Sequence, residues 1–242
     1  ADAYALNIRK GEKELFRLPN DPLDPSKSLV TMDIKARLKT DRNLSVNVEA
    51  DYTGTSSANM RETFSRVGES GQKKYLLESL GKGSFPNIEL ASYSFSHLRD
   101  ISDTLSGAYT INSTGFADKI ASLYIIRVPF MISIQPNPAL LSKTRYNRLY
   151  LPEIGPTEPC FQKVLVELPA GYRLMEVPAD VLLKSKFGTY SLRYRNTSQG
   201  LIVERYQAYS TDEISIDEFE EFKVFYAQML EADTQRLAVQ RQ

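Results

Sequence analysis

Between Val30 and Tyr52 the chain alternates apolar and polar residues more regularly than anywhere else. Val30, Met32, Ile34, Ala36 and Leu38 interleave with Thr31, Asp33, Lys35, Arg37 and Lys39. After Thr40-Asp41-Arg42-Asn43 the alternation resumes with Leu44, Val46, Val48, Ala50 and Tyr52 against Ser45, Asn47, Glu49 and Asp51. Successive side chains of a strand point to opposite faces, so a period of two predicts a long amphipathic hairpin, polar on one face and apolar on the other.

A second block with the same grammar runs over residues 161–242. Val164, Val166 and Leu168 share one strand face, and Tyr190, Leu192 and Tyr194 alternate with Thr189, Ser191, Arg193 and Arg195. Asn196-Thr197-Ser198-Gln199-Gly200 supplies turn chemistry before Leu201-Ile202-Val203, which predicts a hairpin with a five-residue loop. Ser215-Ile216-Asp217-Glu218 fits a capping box, so a helix is expected to begin there. That helix puts Phe219, Phe222, Tyr226, Met229 and Leu230 on one broad face, and residues 237–240 return as a last strand.

Between these blocks, Gly54 closes the first hairpin and two short helices follow. Met60, Phe64 and Val67 mark the inner face of one that starts near Ser56 or Ser57. Ser70 caps the other, in which Leu76, Leu77 and Leu80 turn inward before Gly81 and Gly83 stop it. Helices in this position can cover the open face of the preceding sheet. Tyr93 and Phe95, then Leu105, Tyr109 and Ile111, then residues 123–128 read as strands, and the apolar run 120–134 reads as central despite Pro129. Gln135-Pro136-Asn137-Pro138 reads as a boundary, residues 146–151 as an opening strand and residues 154–159 as loop. Residues 4–18 form a lead-in, and the prolines at 19, 22 and 25 an extended connector. The expected class is mainly β with helical (α+β) additions. Two antiparallel β-sandwich-like domains are expected: residues 1–142 with two inserted short helices, and residues 143–242 with one C-terminal packed helix.

A chain of 242 residues buries about 70–75% of its unfolded surface, enough for one large core or two modest ones. Thirty basic residues balance thirty acidic ones, leaving no net field to attract a phosphate backbone, so nucleic acid is not an expected partner. No apolar run approaches the roughly 20 residues of a membrane span. Ala1-Asp2-Ala3-Tyr4 lacks the basic and apolar regions of an export signal, and a soluble, mature or excised piece is expected. One cysteine cannot form an internal disulfide and leaves export open.

The candidates for chemistry are few. Cys160, between Pro159 and Phe161, has neither a helix N-terminus nor an adjacent imidazole to lower its pKa, and reads as structural. His97, the single histidine, reads as a surface or edge residue, and one imidazole cannot build a multi-histidine metal site. Ser70-Gly71-Gln72-Lys73 matches the S-x-x-K pattern of serine acyl enzymes, but Lys143-Thr144-Arg145 departs from the supporting K-T-G element, so a helix cap is the plainer reading. Asp217, Glu218, Glu220 and Glu221 fall in the first turns of a helix, where negative charge complements the dipole. Asp41-Arg42-Asn43 is too short for a calcium loop. Glycan sequons stand at Asn43, Asn112 and Asn196. The 14 tyrosines mostly alternate inward as core. No catalytic, cofactor-binding or metal-ligating residue is expected, and no cofactor.

Several longer strings stand out. They are the hairpin ending in Tyr52-Thr53-Gly54 with a helix containing Arg61-Glu62, then Arg145-Tyr146-Asn147-Arg148-Leu149-Tyr150-Leu151-Pro152. Val166-Glu167-Leu168-Pro169-Ala170-Gly171-Tyr172 follows, with Val177-Pro178 close behind, and then the closing helix. In this order they resemble the C-terminal β-rich region, itself a domain of unknown function, that follows the transglutaminase-like core in multidomain exported bacterial proteins. In such cores the reacting residues run Cys, His, Asp, with the cysteine opening a helix. Here His97 precedes Cys160 and Cys160 precedes a strand, so no triad residue carries over. The resemblance implies a non-catalytic accessory or interaction module of a periplasmic or envelope-located transglutaminase- or protease-like protein, partnering an upstream domain of the same parent chain. The alternative is a carbohydrate-binding β-sandwich. A glycoside-acting enzyme would need two carboxylates about 5–10 Å apart across a cleft.

Overall fold

The computed structural model describes residues 4–5, 16–17, 24–80, 84–99, 104–142 and 144–241. The expected lead-in and proline-rich connector fall largely outside these residues, and the helix stops at Gly81 and Gly83 fall wholly outside them.

A two-residue antiparallel pair, β1 (Tyr4–Ala5) with β2 (Phe16–Arg17), comes first. The alternating stretch forms β3 (Val30–Leu38) and β4 (Leu44–Thr53), antiparallel, and every second residue of each is buried. Helices α1 (Gly54–Arg66) and α2 (Glu69–Leu80) follow, then β5 (Ile88–Ser96), β6 (Thr104–Ser113), β7 (Asp118–Ile120) and β8 (Leu123–Arg127). The remainder comprises β9 (Leu149–Tyr150), β10 (Cys160–Glu167), β11 (Tyr172–Leu174), β12 (Val181–Ser185), β13 (Gly188–Thr197), β14 (Gly200–Tyr209), β15 (Glu213–Ile214), α3 (Phe219–Asp233) and β16 (Arg236–Arg241). The protein is mostly β with helical additions.

Eight strands form one sheet in the order β12-β13-β14-β10-β3-β4-β6-β5, and β11-β16-β8-β7 form a second. Strands from both sides of the expected 142/143 division are neighbours: β10 lies beside β3, in parallel, with Cys160 opposite Val30 and Glu167 opposite Arg37. The other strand pairs of the large sheet are antiparallel. Alternation is the same read in either direction, so the sequence pattern carries the face of a strand but not its polarity. Across the sheet Tyr190, Gln207, Cys160, Val30, Tyr52 and Leu105 stand in one row, and all six are buried.

Aromatic and aliphatic side chains from the helices seal this face. Phe64 of α1 is buried, with its ring 4.7 Å from Phe95 and 5.6 Å from Tyr75. On α3, Phe219, Phe222, Phe225, Tyr226 and Met229 are buried, and Phe222 meets Phe187 edge-on at 5.4 Å. No helix among the described residues is long and apolar enough to cross a membrane.

Several local expectations change. The hairpin loop has two residues, not five, because Thr197 pairs with Gly200. The turn-forming letters on either side join the strands, and Gly200 is required there because a Cβ would stand 2.0 Å from the Val166 carbonyl oxygen at φ 144°. The Ser215 hydroxyl donates to the Glu218 carboxylate at 2.7 Å instead of accepting from its backbone, and α3 starts at Phe219 without a side-chain cap. Ser70 lies inside α2, which begins at Glu69. Val67 falls past the end of α1 and is exposed. Of the run 120–134 only residues 123–127 form an inner strand; Ile120 is exposed, and Phe130, Met131 and Ile134 are buried in irregular backbone. Only Leu149–Tyr150 of the expected opening strand pairs, with Glu213–Ile214, and Tyr146 is exposed.

Candidate functional site

Where β3 begins and β4 ends, the buried face opens into a cavity of about 650 Å³. Val30, Met32 and Tyr52 of the sheet, Met60 of α1 and Leu76 of α2 give it apolar walls. Backbone segments 131–135 and 150–158, with Asp212, close the opposite side. α1 and α2 stand over this end of the sheet because their apolar faces pack there: Phe64 and Leu76 are buried, and Met60 and Leu77 lean on the same core. The volume lies in the range of small-ligand sites, which combine apolar walls with a few placed polar groups.

Segment 131–135 is irregular yet fixed, and its fixing explains the buried polar residues of the sheet. Gln162, opposite Met32 on β10, accepts from the backbone N–H of Met131 at 2.8 Å and of Ile132 at 3.2 Å, and donates to the Ile132 carbonyl at 2.7 Å. Next to it in the row, Arg205 on β14 also donates to that carbonyl, at 3.0 Å. The Arg205 guanidinium further bonds Gln207 at 2.7 Å and Asp233 at 2.5 Å, and lies between the rings of Phe130 and Tyr190 at 5.2 and 5.5 Å. Asp233, in the last turn of α3, accepts from the Tyr190 hydroxyl and from the backbone N–H of Ile134, both at 2.7 Å. Burial opposes the Arg205 charge, and Asp233 with Tyr190 holds it in place, so the guanidinium stays protonated. The network fastens one wall of the cavity to the sheet and to α3. Of its members only Tyr190 was named from the sequence, as one residue of an alternating strand face; Gln162, Arg205, Gln207 and Asp233 were not singled out. The signal was parity: Arg205 and Gln207 fall on the same alternate positions as Leu201, Val203 and Tyr209, and Asp233 follows Met229 by four on the inner face of α3.

Cys160 starts β10, opposite Gln207 and Val30 and two residues before Gln162, and is 4% exposed. Burial pushes its thiol up to about 11, although Arg205 pulls the other way. His97 is exposed just past the end of β5, and its carbonyl accepts from Arg61 at 3.0 Å. Four strand steps separate β10 from β5, which is about 19 Å at the usual strand spacing. The two are not brought together. Ser70 and Lys73 are both exposed on α2. Glu218 and Glu221 pair with Lys186, and Glu220 with Lys223. Asp41 accepts from the backbone of Asn43 in the β3–β4 turn, and Asn43 accepts from Gly115 N–H. Asn112 is half-buried on β6 and Asn196 exposed on β13. Among the described residues seven tyrosines are buried, including Tyr52, whose hydroxyl meets that of Tyr109 at 3.0 Å. No group of three or more His, Cys, Asp or Glu among the described residues is placed to hold a metal ion.

The run from Leu123 of β8 to Val239 of β16 holds three of the four strands of the second sheet, together with α3 and the Arg205 network, and it matches a family described as Domain of Unknown Function with solved-structure structure. Residues 122–239 match the DUF3858 family model. The matched residues supply the pinned wall of the cavity, while β3, β4, α1 and α2 lie before them in the chain. No curated protein matches the chain. Among solved structures, the chain is similar to a candidate protease from Parabacteroides distasonis, at 11% identity and a TM-score of 0.31. The match covers 90% of this chain and 41% of that one, so this chain spans about two fifths of the protein it matches.

Proposed function

We propose that this chain is a non-catalytic accessory module that works by contact with a protein. In this reading it belongs to an envelope-located bacterial protein with a transglutaminase- or protease-like core and orients or partners that core. One observation carries the non-catalytic part: the single cysteine is sealed under the sheet with its thiol pushed up to about 11, while the single histidine sits at the far edge of the same sheet. A thiolate nucleophile needs the reverse, a lowered pKa and an adjacent base. The cavity supports a binding role, because apolar walls with scattered hydroxyls and amides suit recognition. Partnership with a protein is favoured over carbohydrate because seven tyrosines are buried and Tyr93 and Tyr172 pack against the core, which leaves Tyr75 and Tyr146 as the exposed ones among the described residues. The envelope location and the attached core rest on the sequence resemblance.

The test is an assay of the purified chain for peptidase and acyl-transfer turnover. No turnover is expected. Turnover that disappears in Cys160→Ala would overturn the reading.

A further inference from the structure

We infer that the cavity between α1, α2 and segments 131–135 and 150–158 is a binding site for a peptide segment that carries an apolar side chain beside a lysine or arginine. The inference rests on the protein-contact reading above and names what the contact is made with.

Three observations converge on this occupant. The first is charge. The charged residues among the described residues lining the cavity are Glu158 and Asp212, both acidic and both half-buried, with no lysine or arginine beside them. Elsewhere the protein neutralises its half-buried carboxylates, as Glu167 does with Arg37 at 2.7 Å and Glu204 with Arg195 at 3.6 Å. The Glu158 and Asp212 carboxylates have no ion pair or hydrogen bond among the described residues. A cation from outside would complete them, and a low-dielectric wall strengthens that attraction relative to open surface.

The second is an unmet hydroxyl. Ser56 stands in the cavity wall 6% exposed, and its Oγ is the one buried side-chain polar atom among the described residues that has no hydrogen-bond partner. Its neighbour Ser57 donates to the Gly54 carbonyl at 2.9 Å, and Ser79 across the cavity donates to the Leu76 carbonyl at 3.1 Å. Buried polar groups are nearly always satisfied, so an orphan in a cavity wall points to a partner that the chain itself does not supply.

The third is the character of the remaining walls. Met32, Met60 and Met131 line the cavity. Unbranched thioethers adapt to differently shaped apolar side chains. The exposed Asn59 carboxamide at the rim makes no hydrogen bond among the described residues and offers both a donor and an acceptor, as a peptide backbone requires. An apolar seat, two acidic groups and a free carboxamide together match a peptide with an apolar residue next to a basic one, better than an acidic peptide or a phosphate.

The probe is the tetrapeptide acetyl-Ala-Leu-Lys-Leu-amide, titrated calorimetrically into the chain and compared with analogues carrying glutamate or norleucine in place of the lysine. The lysine peptide is expected to bind at least about tenfold more tightly than the glutamate peptide, with a margin that shrinks as salt rises. The double variant Glu158→Gln/Asp212→Asn is expected to lose that preference while keeping its thermal midpoint. Met60→Trp, which fills the cavity, should lose all three peptides. Equal binding of the three peptides, no binding of any, or a preference that survives in the double variant would each overturn the inference. Mass spectrometry of the recovered probe separates the two readings. A cleaved or transferred probe defeats the non-catalytic reading, whereas an intact and unbound probe defeats only the assignment of the cavity.

Discussion

Arg205 and Asp233 meet with 2.5 Å between Nε and Oδ1, and neither side chain has any exposure to solvent. One comes from the inward parity of β14 and the other from the last turn of α3. Each also reaches irregular backbone, Arg205 at Ile132 and Asp233 at Ile134. The pair thus joins sheet, helix and cavity wall at one point.

Breaking that pair from one side strands a charge in a low dielectric. Arg205→Met or Asp233→Asn alone should destabilise the fold by about 3–5 kcal/mol, read from urea denaturation midpoints, while the double variant Arg205→Met/Asp233→Leu should recover part of the loss. Single variants costing less than about 1 kcal/mol would show that the network does not hold the core.

Cys160 makes stability depend on alkaline pH. Its thiol ionises at about 11 in the fold against 9.0 as the ordinary value, so between these two the unfolded chain has lost a proton that the folded chain keeps. Stability is therefore full below about pH 9 and falls as pH rises toward 11, by an amount on the order of 2 kcal/mol. Cys160→Ala should remove the part of the decline between pH 9 and 10, measured as unfolding free energy at pH 8, 9 and 10, before the buried tyrosines, whose hydroxyls burial raises from 10, add their own loss. Native-state labelling by a thiol reagent at pH 8 should be slow and should become fast in denaturant. Rapid native labelling would contradict the sealed site.

The face of α3 should be asymmetric in its tolerance. Phe222 is fully buried against Phe187 and Tyr209, whereas Val224, two residues on, is 60% exposed. Phe222→Ala should cost about 3–5 kcal/mol, and Val224→Ala within about 0.5 kcal/mol. Thermal melts of the two variants side by side decide it.

Gly54 opens α1 at φ 55°, and a Cβ there would lie 1.9 Å from the carbonyl oxygen of Lys27. Both the conformation and the space exclude a side chain, so Gly54→Ala should destabilise by more than about 1 kcal/mol. Because α1 forms one wall of the cavity, the same variant should weaken binding of the lysine peptide. A variant with unchanged stability and unchanged binding would place the start of α1 elsewhere.

Much of this architecture was legible residue by residue. The alternation of Val30 to Leu38 and of Leu44 to Tyr52 gives both strands and their inner face within a residue, because a half-buried strand leaves its period in the sequence. The inner residues Phe219, Phe222, Tyr226 and Met229 of α3 follow from helical spacing. Phe225 escaped because it sits at the margin of the expected stripe. The parallel β10–β3 pairing could not be read, since nothing local distinguishes a neighbour 130 residues away from one across a turn. The cavity was hidden for the same reason: Met60, Glu158 and Asp212 come from three distant parts of the chain, and only the sheet order brings them together.

That sheet order also sets a schedule. Val30 and Cys160 are opposite each other, as are Arg37 and Glu167, at a constant offset of 130 residues, which a ribosome covers in about 6–26 s. Throughout that interval the first hairpin has one flank with no strand to complete it. The alternate charges on that flank, Asp33, Lys35 and Arg37, later partly matched by Lys163 and Glu167, give the waiting edge a means of discouraging premature partners.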